Sequence, residues 1–184
     1  MNRENKQSQR VPLGKKIAYA APAAALAVIG IPVYVYIPKF YTDVVGINVA
    51  VLGYILFSVR IFDALTDPLI GSLSDATHTR FGRRRPYILG GSFFVVLTMF
   101  MLFNPPHASP TYETVWFGIA IYTLFLFWTI VTVPYEALGP EITFDYHERT
   151  ELFGMRDGFL IGGTLLAASA PAMVAWFFSL PDDA

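Results

Sequence analysis

The residues with the clearest chemical potential are two carboxylates inside an apolar stretch. Asp63 and Asp67 are four residues apart, so on a helix they share one face, with Arg60 on the same side. Charged residues within a membrane span are costly and usually face a cavity or a partner. Paired carboxylates with a nearby hydroxyl offer the oxygen ligands that hard cations prefer. The pattern predicts a coupling-ion site for Na⁺ or H⁺. Alternatively, Asp63 only pairs with Arg60, and Asp67 caps a helix segment that restarts at Pro68.

A second cluster follows the same apolar stretch and combines small, acidic and basic residues. Its members are Gly71, Asp75, Gly82, Arg83, Arg84 and Arg85. Gly71 allows two helices to approach closely. Asp75 lies at a predicted helix end, where it is expected to pair with one of the arginines or to cap a helix. The simpler interpretation is that the arginines only anchor the chain to anionic lipid.

Polar residues also mark the end of the fourth apolar stretch and the start of the fifth. They are Thr129, Thr132, Tyr135, Glu136 and Arg156. Thr129 is the expected third cation ligand if the second and fourth spans pack together. Glu136 is either a solvated helix end or a substrate contact. Arg156 either binds an anionic or hydroxyl-rich substrate or extends to the membrane interface. Gly158 and Gly162 predict a close-packing helix face.

The composition explains why these polar residues stand out. Apolar residues make up 54% of the 184 residues and charged residues only 15%, against about 25% charged in a globular protein. That much apolar surface requires lipid to cover part of it. The chain has no Cys, which excludes disulfides and thiolate chemistry. We find no enzymatic motif, and we expect neither a cofactor beyond the coupling ion nor a nucleic-acid partner.

Hydropathy predicts an all-α membrane protein with five spans. They cover about residues 17–37, 49–73, 87–103, 115–138 and 158–180. Residues 1–16 are polar and basic and predict a tail without regular structure. Residues 139–151 predict an acidic loop. Because halves of six helices are common in transporters, five spans predict a truncated or partial chain.

The basic residues predict the orientation in a cell membrane. Eleven Lys and Arg residues lie in the N-terminal tail and the even-numbered loops, and only Lys39 lies on the other side. Cytoplasmic segments carry the excess of Lys and Arg. The N-terminus is therefore expected to be cytoplasmic and residues 181–184 to lie outside.

The second span resembles a known family. Residues 63–71 read DALTDPLIG, which is similar to the D-A-x-x-D-P-x-x-G run of the glycoside–pentoside–hexuronide cation symporters, the melibiose permease-like family of the major facilitator superfamily. The similarity extends to residues 41–46, to Arg80-x-Gly82 with Pro86, and to residues 134–150. It covers nearly all of the chain beyond the tail.

The resemblance implies a twelve-helix fold with alternating access, of which this chain supplies helices one to five. It implies that Asp63, Asp67 and Thr129 belong to a cation site, with Na⁺ favoured over H⁺. Thr66 is assigned to the same site, at a position where the melibiose permease has Asn. It implies that Arg156 contacts sugar and that the cluster from Gly71 to Arg85 forms a cytoplasmic gate. The implied substrate is a sugar, a glycoside or a related small solute. The alternatives are a lysophospholipid symporter-like carrier and a non-transporting fragment.

Overall fold

The computed structural model describes residues 10–106 and 109–178, and all regular structure in these ranges is helical. The elements are α1 (Leu13–Ile31), a π-helical turn (Pro32–Tyr36), α2 (Ile37–Asp43), α3 (Val49–Ala76), α4 (Arg85–Phe103), α5 (Pro110–Ile142) and α6 (Tyr146–Phe178). Five stretches are long and apolar enough to cross a membrane: Leu13–Asp43 and each of α3 to α6. The predicted class, an all-α protein with five spans, is confirmed.

The beginning of the first span differs from the prediction. Helix α1 starts at Leu13, so the last residues of the predicted tail are helical. The reason is Lys16, which is buried and forms ion pairs with Glu148, at 2.8 Å, and with Glu151 on α6. The backbone N–H of Val11 donates to the same Glu148 carboxylate at 3.0 Å. Residues 1–9 of the predicted tail lie outside the described residues.

The predicted acidic loop over residues 139–151 is wrong, because only residues 143–145 are non-helical there. The side chain of Asp145 accepts a hydrogen bond from the Glu148 N–H at 3.0 Å, which caps the start of α6. Arg149 donates to the carbonyl oxygens of Pro140 and Thr143, at 3.4 and 3.3 Å, and so satisfies the end of α5. The acidic residues therefore begin a helix.

Other helix ends also extend beyond the predicted spans. Helix α5 begins at Pro110 rather than near residue 115, because Pro suits a first helical turn and the Ser109 hydroxyl oxygen accepts from the Tyr112 N–H at 3.3 Å. Helix α3 continues three residues past its predicted end, to Ala76. The last two residues of the predicted fifth span, 179–180, and the predicted outer tail, 181–184, lie outside the described residues.

The chain divides into two compact units, of which the first comprises residues Met1–Tyr36 and Gly139–Ala184. Here α1 packs against α6. A Cβ atom added to Gly163 would lie 2.5 Å from the carbonyl oxygen of Ala24, so the two backbones meet at this glycine. The predicted packing face is wrong in detail: a Cβ on Gly158 or Gly162 would meet nothing within 4 Å among the described atoms.

The second unit comprises residues Ile37–Leu138 and contains α2, α3, α4 and most of α5. The buried Tyr41 donates its hydroxyl to the Leu102 carbonyl at 2.8 Å, which ties α2 to α4. Gly91 brings α4 against α5, since an added Cβ would come within 2.7 Å of Val131. The candidate cation site lies in this unit.

Candidate functional site: paired carboxylates in the second span

Helices α3 and α5 run side by side in the same direction and build the site. Tyr122 donates to the Ser58 hydroxyl at 2.7 Å, and further along both helices Thr129 contacts Asp67. Phe62 packs edge-on against the ring of Tyr122, with ring centroids 5.3 Å apart. Along these contacts, the residue numbers of both helices increase together, so the two helices stay aligned. The second and fourth spans therefore pack together, which is the condition for Thr129 to approach the aspartates.

Asp67 and Thr129 form the central contact. The Thr129 hydroxyl donates to Asp67 Oδ1 at 3.0 Å. Thr129 is only 3% exposed, whereas Asp67 is exposed in this chain. Because the hydroxyl holds one carboxylate oxygen, the second oxygen of Asp67 stays available for a ligand.

Asp63 lies one helical turn before Asp67 and has an unusual environment. Its Oδ2 accepts from Arg60 Nη1 at 3.2 Å, and its side chain is 17% exposed. Its other oxygen, Oδ1, is buried and has no hydrogen-bond partner among the described residues. A buried carboxylate oxygen without a donor is costly. A bound cation or proton would remove that cost.

Arg60 is held from two sides. Besides Asp63, its guanidinium lies over the ring of Phe125 on α5, 4.8 Å from the ring centre. Phe125 itself is buried. The aromatic face stabilises the arginine charge by a cation–π contact, so the guanidinium is oriented by α5 rather than by the aspartate alone. Phe125 was not recognised from the sequence, because an aromatic residue in an apolar span has no distinctive signal.

Thr66 contacts only backbone atoms of its own helix among the hydrogen bonds of the described residues. Its hydroxyl donates to the backbone carbonyl oxygens of Phe62 and Asp63, at 3.0 and 3.3 Å. Such bonding within one helix is common for Thr in membrane spans. The assignment of Thr66 as a cation ligand stays a prediction.

The cluster from Gly71 to Arg85, which spans the end of α3 and the loop after it, contains the predicted ion pair. Arg84 Nη2 lies 2.7 Å from Asp75 Oδ1, and Arg84 is buried whereas Arg83 and Arg85 are exposed. Gly82 has a φ of +99° and forms a turn in which its N–H donates to the Thr79 carbonyl at 3.0 Å. Only glycine adopts this backbone readily, and the turn leads the chain back to Asp75.

Gly71 contributes less to close packing than predicted. A Cβ on Gly71 would lie 3.6 Å from a methyl group of Val133, which is an ordinary contact distance. Alanine would therefore fit at this position. Among the described glycines of the second unit, Gly91 has the tighter contact, with Val131.

The predicted substrate residues have different local environments. The Thr132 hydroxyl donates to the Trp128 carbonyl of its own helix at 3.0 Å, Tyr135 is buried, and Glu136 is exposed. Arg156 belongs to the first unit, where it bonds to Asp157 at 2.9 Å and lies over the Phe153 ring at 5.0 Å.

A further charge cluster in the first unit was missed from the sequence. Lys16, Glu148 and Glu151 line a cavity of about 410 Å³ together with Arg10 and His147. Lys16 was counted only as an orientation signal, because basic residues before a first span usually serve that purpose. The signal that was available is the spacing of Glu148 and Glu151, which share a helix face.

The fold and the site together define a class. A bundle of apolar helices that holds two carboxylates and an arginine within one span, next to a buried threonine of another, is typical of membrane transport proteins.

Comparison with known proteins agrees with that class. The family described as MFS/sugar transport protein matches residues 18–183. The chain belongs to this family, and the predicted relationship to the cation symporters of the major facilitator superfamily is confirmed.

Individual relatives are symporters by name. The chain is 38% identical to an uncharacterized symporter of Synechocystis over 95% of its length, and 34% identical to a putative glycoside/cation symporter of Escherichia coli over 86%. It is 30% identical, over 94% of its length, to the chicken sodium-dependent lysophosphatidylcholine symporter 1. The chain spans only 33–34% of each of these relatives.

Proposed function

We propose that the protein is a cation-coupled secondary active transporter that moves a sugar, glycoside or related small solute together with Na⁺ or H⁺. The observation that carries the proposal is the buried, unpartnered oxygen of Asp63 one turn from Asp67, which is bonded to Thr129. Together these groups offer two carboxylates and a hydroxyl to one ion. The ion is cargo, and no chemical bond of the substrate changes, so the protein is not an enzyme in this proposal.

Na⁺ is the proposed ion. Two relatives carry cation or sodium in their names. Oxygen ligands on two adjacent spans suit a hard cation, while a drier site would favour a proton shared by the carboxylates. The test is uptake into vesicles that contain the full-length protein, with and without an inward Na⁺ gradient, using a panel of glycosides. Uptake that is the same in the presence and in the absence of every cation tested would contradict coupling.

A second candidate substrate is a lysophospholipid. The similarity to the chicken symporter supports it, since this relative matches almost the whole chain. In the first proposal, hydroxyl groups of a sugar would be contacted by Arg156, Tyr135, Glu136 and Thr132. In the second, Arg156 would contact the phosphate of the lipid. The same vesicles, supplied with a fluorescent lysophosphatidylcholine, distinguish the two substrates.

The chain is proposed to be the N-terminal part of a longer carrier with twelve helices in a cell membrane. About a third of each relative's length is present. The remaining helices, a small-molecule substrate and the bilayer are its proposed partners. A non-transporting fragment remains an alternative, which uptake by the full-length protein would contradict.

The orientation can be tested by cysteine labelling, because the natural chain has no Cys. We expect an impermeant thiol reagent to label Cys at Ser109 but not Cys at Phe81 in intact cells, since the basic loop is proposed to be cytoplasmic. Both positions are exposed, whereas Ser74 is fully buried and would resist labelling on either side. Both cysteines should react after the cells are opened. Labelling of Phe81→Cys in intact cells would reverse the orientation.

The cluster from Gly71 to Arg85 is proposed to be a cytoplasmic gate. Asp75→Asn or Arg84→Gln removes one partner of the ion pair, so transport is expected to slow at least about tenfold while substrate affinity changes little, since a gate acts on conformational exchange. The exposed carboxylate Asp43 offers the control Asp43→Asn. A normal transport rate in both variants would leave the arginines as a lipid anchor only.

A further inference from the structure

An apolar groove lies between α4 and α5 at the end next to the basic loop. Its walls are Tyr87 and Phe94 on α4 and Phe127 and Ile130 on α5, and its volume is about 360 Å³. The rings of Phe94 and Phe127 are stacked with centroids 4.4 Å apart. From Tyr87 to Phe94 the groove follows α4 for about 10 Å, a third of the roughly 30 Å hydrocarbon core.

Two adjacent glycines create this groove in different ways. Gly91 lets the helices meet, because a Cβ there would lie 2.7 Å from Val131 and 3.0 Å from Ile130. Gly90 also lines the groove, but a Cβ there would meet nothing within 4 Å. The first glycine is needed for packing, whereas the second leaves space. That space is open for a ligand.

The chemistry of the lining favours hydrocarbon. The one hydroxyl contact at the rim is satisfied internally: Thr77 donates to the Leu73 carbonyl at 2.8 Å and lies 2.6 Å from the Tyr87 hydroxyl. The remaining lining side chains carry no polar group. The exposed side of α4 is equally apolar, with residues such as Leu89, Phe93 and Phe100. A sugar would lose its hydrogen bonds with water here without gaining others, whereas an acyl chain makes no such bonds.

The loop end of the groove is basic. Arg85 begins α4 directly before Pro86, which lines the groove, and Arg85, Arg83 and Arg80 are all exposed. Arg84 is different, because it is buried against Asp75. An apolar groove that ends at exposed arginines matches the two parts of an anionic lipid: the tail packs by van der Waals contact, and the headgroup is attracted to the arginines.

We propose that the groove between α4 and α5 is a binding site for one anionic glycerophospholipid, with an acyl chain along Gly90 and the phosphate at Arg85. The proposal does not depend on the transport function, since the groove is lined by none of the residues of the candidate cation site. It differs from a general lipid anchor because it requires a defined groove as well as positive charge.

The test is native mass spectrometry of the full-length protein with added phosphatidylglycerol or phosphatidylcholine of identical chains. We expect one phosphatidylglycerol to be retained at least fivefold more than phosphatidylcholine, and Gly90→Leu to lower retention of both at least tenfold. Gly53→Leu is the control, because Gly53 is also an exposed helical glycine with nothing within 4 Å. Gly90→Met also fills the groove, with a more flexible side chain, and is expected to lower lipid retention as well.

The headgroup is tested separately. Arg85→Gln is expected to reduce the preference for phosphatidylglycerol about fivefold while Lys39→Gln leaves it unchanged. Equal retention in Gly90→Leu and Gly53→Leu would overturn the proposal, as would an unchanged preference in Arg85→Gln. A lower yield of folded protein in both Gly90 variants, with unchanged lipid retention by the protein that does fold, would show that the groove is covered by protein instead.

Discussion

Replacing Asp63 or Asp67 with asparagine is expected to abolish Na⁺-stimulated uptake in the full-length protein, with apparent Na⁺ affinity lowered at least about 100-fold. Loss even of groups that only support metal ligands costs about 10–100-fold in affinity, and each aspartate is proposed to contact the ion directly. The measurement is Na⁺-dependent substrate binding and uptake in each variant.

The control variant also removes one negative charge, but at a position away from the site. Asp43 is an exposed carboxylate at the end of α2, so Asp43→Asn should preserve Na⁺ stimulation. Thr129→Ser keeps the hydroxyl that bonds Asp67, whereas Thr129→Val removes it. We expect serine to retain Na⁺ affinity and valine to weaken it. If both aspartate variants keep full Na⁺ and pH dependence, the aspartates are structural and the coupling site lies elsewhere.

Arg60 would compensate part of the negative charge of the proposed site when no ion is bound. A cation beside the aspartates would repel Na⁺, yet the guanidinium contacts only one oxygen of Asp63 and is also stabilised by Phe125. It can therefore compensate one carboxylate when the site is empty and remain on the ring when Na⁺ enters. Such compensation would lower the cost of the conformational change by which the empty carrier returns to its starting state.

The contact between Asp67 and Thr129 could be anticipated from the sequence, because charge inside an apolar span is rare and costly and therefore stands out. The spacing of Asp63 and Asp67 and the proximity of Thr129 both follow from helical geometry and the packing of two spans. Phe125 could not be predicted, since its contact with Arg60 depends on the rotation of α5. The burial of Tyr135 and the exposure of Glu136 could not be predicted for the same reason: adjacent residues of a helix point in different directions, and the rotation of α5 decides which of them faces the interior.

Helix ends were predicted less well than helix existence, again for physical reasons. Hydropathy detects the part of a helix that needs lipid, but α1 and α6 continue past it on polar contacts. Lys16 and Glu148 stabilise each other only after the two helices pack, over a separation of more than 130 residues along the chain. When the two segments are considered separately, the residues around Lys16 look like a polar tail and those around Glu148 like an acidic loop.

Gly163→Ala is expected to destabilise the protein strongly, although alanine is the better helix former. The added Cβ would lie 2.5, 2.8 and 3.0 Å from the O, Cα and C atoms of Ala24, so only a shift of the backbone could relieve the collision. Overpacking in well-packed interiors costs about 1–3 kcal/mol or more. The measurements are the yield of monodisperse protein and the apparent melting temperature in detergent, both of which should fall.

Gly162→Ala supplies a control one residue away. Its Cβ would meet nothing within 4 Å among the described atoms, so the variant should gain up to about 1 kcal/mol of helix propensity without a collision. The two neighbouring substitutions are therefore expected to change stability in opposite directions. Similar effects would mean that α1 and α6 are not in contact at Ala24, and destabilisation by Gly162→Ala alone would restore the face predicted from Gly158 and Gly162.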